Sequence, residues 1–549
     1  LLTATGTGSQ TLVIKKNQVN AAGIALDMPS GNGAQITSVT AAGAGGGGDT
    51  GVKGAGAISL NFVRMNVSAY ISNTGSVGNV ARSVTAGTGD VIVMARDVSQ
   101  VNSGAGALGL SLGKSTAVNA SVGVNDIQNS VTAQINNAKV VATAGDVLVS
   151  AEESARIINV VVGASVSGGG TAFGGSIAVN LIENDIAAGI IAGSDVYAHG
   201  DVSVLAKDTA SIATLAGNVS ASFGGKAAIG AALAVNSIQD SVAALIDSSS
   251  VEARTGDLTV SATFAKPTSL PSGLDVQIAA MAVSGSGADA IAGAGSVALN
   301  WVRNSVTARV SNIANSKTGD EIKAGGKLSV LASDRSTISS LAGAVAISGI
   351  GAAGASGAVG ASVAYNYLGG DPNDPTTHNN NVVRASIEDV TGSISAGSLE
   401  IGSTYDGQIN NITVAGAAAG TFALGGAVSI NRIRNTSDAF LKNVASLSTS
   451  GTGLDSVSIH ASDESEINVL AGGVGVAIAK NGGAGLAAGV SVASNVVENT
   501  VRAFIDNGLV NSAGGIQLTA RQEAAINALT IGVAVGTSAG GGGLAGSGA

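Results

Sequence analysis

With 549 residues, 81 of them Gly, 45% hydrophobic and only 2% aromatic, the chain cannot build the several aromatic-centred globular cores its length would otherwise call for. A formal charge of −10, with few and scattered Lys and Arg, excludes a nucleic-acid surface, and the absence of Cys excludes disulfide frameworks and thiolate metal sites. Proline is nearly absent and β-branched residues recur, so a thin core of Ala, Val, Ile and Leu is expected to fold along the whole chain.

The sequence opens LLTATGTGSQ, with neither Met nor a basic-then-apolar leader, and closes GGGGLAGSGA, so it reads as a piece of a longer protein. One outline then recurs. It appears as SLNFVRMNVSAYI around Asn61, GVNDIQNSVTAQI around Asn125, AVNLIENDIAAGI around Asn180 and AVNSIQDSVAALI around Asn236. It returns as ALNWVRNSVTARV at Asn300, AYNYL at Asn366, SINRIRNTSDAFL at Asn431 and ASNVVENTVRAFI at Asn495. These markers are separated by 64, 55, 56, 64, 66, 65 and 64 residues. A self-similar period of this length points to a repeat architecture, with residues 1–549 forming one continuous segment.

A second marker follows the first: GDVIVMA from Gly89, GDVLVSA from Gly145, GDVSVLA from Gly200 and GDLTVSA from Gly256, with degenerate forms from Gly326 and Gly397. In three consecutive copies it lies 20 residues after the Asn. Within the frame the period is two. Val202, Val204 and Ala206 alternate with Ser203 and Leu205, and Val306, Ala308 and Val310 alternate with Thr307 and Arg309. Alternation with β-branched residues, bounded by Gly, Asn, Asp or Ser, predicts short strands and almost no helix.

These signals predict an all-β, right-handed β-solenoid of about eight repeats of 55–66 residues. A three-sided coil takes about 20 residues, so each repeat is expected to hold about three coils, and about 27 coils would make a rod about 130 Å long. The alternative is a wide, flattened coil with one repeat per rung, in which the marker asparagines stack directly. Asn61, Asn125, Asn180, Asn236, Asn300, Asn366, Asn431 and Asn495 are read as structural corners, because Asn tolerates left-handed backbone and can satisfy neighbouring polar groups. Gly89, Gly145, Gly200 and Gly256 are read as tight turns in which the following Asp caps its own backbone.

Candidate chemistry is sparse. Glu152 and Glu153 are adjacent, so a strand would point them to opposite faces and spoil them as a catalytic pair. His199, His378 and His460 each stand alone, and no nucleophile-base pair or His-rich metal spacing accompanies them, so an enzyme is not expected. Ser336 to Gly370 carries no charge but is mostly Ala, Gly and Ser in short β-like runs, so no membrane span is predicted. The glycines of Gly351–Ser362 lack the strand-loop-helix setting of a nucleotide site. An insertion loop at 369–381 contains two of the five prolines; if calcium binds anywhere, Asp371 and Asp374 there are the residues to hold it, and no other cofactor is expected.

The succession GGSIAVNLIENDIAAGI and GDVSVLAKDTASIATLAG resembles the repeats of giant secreted bacterial exoproteins of the filamentous-haemagglutinin type, most closely the fusobacterial-leukotoxin-like proteins. The resemblance covers nearly the whole chain and implies a long β-helical stalk, exported through an outer-membrane partner or as an autotransporter, that acts in adhesion, aggregation or toxicity. It transfers no functional residue, since the shared positions shape the coil. The expected function is a structural fibre or stalk of a bacterial adhesin, extracellular or at the cell surface, touching a host or neighbouring cell and associating with itself end to end or laterally. Alternatives are the repeat region of a secreted cytotoxin and a polysaccharide-binding or polysaccharide-cleaving β-helix.

Overall fold

The alternating, β-branched segments form extended strands, and Gly, Asn, Asp and Ser punctuate them. The structure, a computed structural model, describes residues 10–14, 20–21, 34–73, 83–267, 276–314, 321–349, 355–370, 380–479, 484–538 and 542–549. Among these residues there are strands, turns and bends but no helix, and the strands pair in parallel as a β-solenoid.

One rung can be followed from Thr171. A long strand, Thr171–Ile182, turns a corner into Asp185–Ile191; a short closing strand, Asp195–Ala198, leads to Val202–Asp208; and a second long strand, Ser211–Ser222, runs back. A turn at 223–226 then climbs to Ala227–Ile238, which lies directly on Thr171–Ile182. The two long strands pack across from each other, and so do Asp185–Ile191 and Val202–Asp208. Each rung is therefore a flattened loop with a lobe at one end, built by the three shorter strands, and a thin two-layer blade at the other.

The register corrects the expected coil size. Asn180 pairs with Asn125 on one side and Asn236 on the other, and the same holds along the marker series from Asn61 to Asn495, so one whole repeat makes one rung rather than about three coils. The 20-residue step from Asn180 to Gly200 is only part of the way around the lobe. Stacked about 4.8 Å apart, the rungs from Asn61 to Asn495 span about 34 Å of axis, far less than 20-residue coils would give.

Two different cores fill the loop. In the lobe, rows such as Ile186, Ala188 and Ile190, or Val306, Ala308 and Val310, stack fully buried with their counterparts above and below. Each buried Val or Ile contributes about 1.5–3 kcal/mol. In the blade, every member of the buried clusters except Val161 is alanine. The reason is proximity of the two backbones: a Cβ at Gly425 would stand 2.1 Å from the carbonyl oxygen of Val474, and one at Gly489 would stand 1.9 Å from that of Val533. High Ala and Gly content is thus the composition of a thin two-sheet slab, and the larger β-branched residues belong to the lobe.

Candidate functional site

The repeated residues of the sequence form ladders along the solenoid axis. The marker asparagines are not corners, as expected, but inward-facing strand residues: Asn300 lies inside Ile291–Val302 and is fully buried. In-register stacking gives each amide a partner one rung away. Asn61 donates to Asn125, Asn125 to Asn180, Asn236 to Asn300, Asn300 to Asn366, Asn366 to Asn431 and Asn431 to Asn495, each at 2.8 Å, and Asn180 donates to Asn236 at 2.9 Å. The opposite sheet of the blade adds further partners. Asn159 Nδ2 donates to Asn180 Oδ1 at 2.9 Å, while Thr214 accepts from Asn180 at 2.7 Å and donates to Asn236 at 2.6 Å. The ladder satisfies donor and acceptor together without any left-handed backbone, which is why the residue is Asn.

Left-handed residues occupy another position, twelve residues after most markers. They are Asn73, Asn137, Ala192, Ser248, Asn312, Asp389, Asn443 and Asn507, with φ between 48° and 59°. They turn the chain between the first lobe strand and the closing strand. Several also pair outside the lobe, as Asn507 Nδ2 does with Asn443 Oδ1 at 2.9 Å.

Gly89, Gly145, Gly200 and Gly256 lie in bends just before the second lobe strand. The Asp that follows does not cap its own backbone, as expected, but the next rung's: the N–H of Asp146 donates to Asp90 at 2.9 Å, that of Asp201 to Asp146 at 2.7 Å, and that of Asp257 to Asp201 at 2.8 Å. A Cβ at Gly200 would collide with the Asp146 carboxylate at 2.0 Å, so the turn needs Gly for space.

Sequence reasoning missed a third set entirely. At the waist between lobe and blade, eight residues after each Gly of the second marker, Asp97, Glu153, Asp208, Phe264, Asp334 and Tyr405 form an in-register inward column that continues to Asp463, with Phe264 standing between the acids Asp208 and Asp334. It faces the true corner residues, among them Asn129, Asp240, Asn304, Asn381 and Asn435. Asn129 Nδ2 reaches Asp97 at 2.9 Å and Glu153 at 3.1 Å, Asn304 Nδ2 reaches Asp334 at 3.3 Å, and Asn435 Nδ2 reaches Asp463 at 2.8 Å. No Lys or Arg is among these partners. Burial pushes Asp208 and Asp334 up to about 7, and it raises Asp97 and Asp463 as well. Glu153 and Asp240 are held well above the usual carboxylate range by burial, reinforced by the neighbouring carboxyls Asp97 and Asp208 respectively. Both oxygens of Asp208, one each of Glu153 and Asp240, and the Asn184 amide nitrogen have no protein hydrogen-bond partner. Such carboxyls are stable buried only as neutral acids.

The remaining candidates stay apart. Glu152 faces outward, 3.6 Å from Arg96, and Glu153 faces inward into the column. His199 sits in the bend before Val202–Asp208, and His460, in Val457–Ala479, lies 4.0 Å from Glu400. Asp371, Asp374 and His378, like residues 351–354 of the glycine run, lie outside the described residues. Among the described residues no group of three or more His, Asp or Glu is arranged to hold a metal ion, and no helix is long and apolar enough to cross a membrane. Comparison with protein-family models, with characterised proteins and with solved structures gives no match for the chain. What the geometry can do is stack: the marker Asn and the Asp of the Gly-Asp turns bind their own counterparts on the next rung, while the waist acids bind the corner residues.

Proposed function

We propose that the chain is a structural, non-enzymatic segment of an extracellular or cell-surface fibre of a giant bacterial adhesin, built as a right-handed solenoid of about eight repeats. One observation carries the reading. The positions that recur most strictly from rung to rung face inward or hold turns, whereas the place just after the marker Asn varies freely: Trp301 shares it with Phe62, Asp126, Leu181, Ser237, Tyr367, Arg432 and Val496. Repetition therefore serves the scaffold first of all. A nearest-neighbour stack of this kind extends by adding rungs, which is the property a stalk needs. The likeness of its repeats to filamentous-haemagglutinin-type exoproteins supports the same setting.

The test is mechanical and cellular. Beads coated with the chain are expected to adhere to cultured host cells or to agglutinate bacteria, with no hydrolysis in a reducing-sugar assay and no lysis of the cells. Coated beads that bind nothing would count against the adhesin role. Release of reducing sugar would favour the polysaccharide-cleaving alternative, and lysis the cytotoxin.

A further inference from the structure

The lobe and the blade meet solvent with different chemistry. Outward positions of the lobe carry stacked ion pairs, such as Arg502 with Asp438 at 2.8 Å and Lys139 with Asp195 at 2.6 Å. On the returning long strand of the blade, charge is confined to the waist end, at Arg156 and Glu466. Beyond it the segments at 157–167, 212–222, 278–288, 338–348, 409–419, 467–479 and 526–538 contain no Asp, Glu, Lys or Arg. Their outward positions hold exposed apolar side chains instead, among them Val162, Val219, Met281, Val345, Ile412 and Leu529, with Val219 58% and Val345 52% exposed. A groove of about 1180 Å³ runs lengthwise on the waist side of these rows, with Met281, Leu341 and Ile412 on one wall and Asn410, Asn468 and Asn527 on the other.

We propose that this face of the blade is the surface on which a second copy of the chain docks, blade against blade, so that solenoids associate side by side. Area is the first argument. Twelve-residue strands about 40 Å long, in seven rungs about 4.8 Å apart, make a face of about 1,300 Å². That exceeds the roughly 800 Å² per partner of a stable interface. Period is the second argument. The apolar rows repeat with the rung, so only a surface with the same spacing can interdigitate along the whole length, and another copy of this solenoid has it. Stacked sheets about 10 Å apart would bury the rows and leave the charged lobes in water. A lipid occupant fits less well, because the turns at the blade's free edge carry exposed Lys114, Lys226 and Asp289.

The inference rests on the fibre reading for its setting, and the experiment separates the two. Sedimentation velocity of the full chain should give a dimer or larger species. The triple variant Val283→Lys, Val345→Lys, Val414→Lys should at least halve the mass while keeping the circular dichroism spectrum. Ser261→Lys with Ser333→Lys, outward on the lobe, should change nothing. As a readout that needs no charge in the sheet, Val345→Cys should form an intermolecular disulfide on mild oxidation and Ser333→Cys should not, in a chain without native Cys. A wild type that stays monomeric at every concentration would overturn side-by-side docking while leaving the adhesion test of the fibre reading open. Flotation of that monomer with phosphatidylcholine and phosphatidylglycerol vesicles would assign the face to lipid instead.

Discussion

Asn300 shows what one ladder residue does. Its amide nitrogen donates to Asn366 at 2.8 Å and its carbonyl accepts from Asn236 at 2.8 Å, with all three side chains fully buried. Asn300→Ala leaves one donor and one acceptor unpaired at a cost of about 1–3 kcal/mol each, so chemical denaturation should show a loss of about 2–5 kcal/mol. Asn312, with φ 54° on the exposed turn, should behave differently: Asn312→Gly removes left-handed strain along with one exposed hydrogen bond, and stability should move by less than about 1 kcal/mol. Asp334 is a third case. Burial raises its folded value to about 7, above the ordinary carboxylate value of the unfolded chain. The folded state therefore holds a proton that the unfolded state gives up, and stability falls as pH rises from about 4 through about 7. Asp334→Asn cannot ionise, so between pH 5 and pH 8 it should lose less stability than wild type, the difference approaching about 2.5 kcal/mol.

At the scale of the strand, the lobe row Val306, Ala308, Val310 was legible in the sequence because its neighbours Thr307 and Arg309 are polar, so the two-residue period sorts inside from outside. Val306→Asp should accordingly cost several kcal/mol in thermal or urea unfolding, by burying an unpaired carboxylate. Thr307→Asp, outward and stacked on Arg384, should cost nearly nothing. The blade strands gave no such sorting. Ala292, Ala294 and Ala298 face inward and Ile291, Val297 and Leu299 face outward, so both faces read as apolar and the strand length, hence the rung size, could not be recovered. The marker Asn was recognised as structural but placed at the corner, when the corner is Asn304, four residues on. The acidic column went unseen because its members are spread one per repeat. The signal was present in three of the four Gly-Asp frames, which end GDVIVMARD, GDVLVSAEE and GDVSVLAKD with the acid in the same place, while the fourth, GDLTVSATF, ends in Phe264. Reading it needed the frames to be stacked directly rather than every third coil.

At the scale of the whole molecule, the column makes the solenoid an acid-favouring fold. Asp97, Glu153, Asp208, Asp240, Asp334 and Asp463 are all shifted upward by burial, and among the described residues no Lys or Arg is buried to offset their ionisation. The melting temperature should fall steadily between pH 5 and pH 8, and a rise over that range would show that the carboxyls are ionised in the fold. The stacked rung itself is tested most directly by cross-linking, because the chain has no Cys to interfere. Thr132 and Ala187 are outward register partners on adjacent rungs, and Glu152 is the outward residue 20 positions after Thr132. With one repeat per rung, Thr132→Cys should close a disulfide with Ala187→Cys on mild oxidation and none with Glu152→Cys; the reverse outcome would contradict the direct stacking on which the fold, the ladders and the fibre all depend.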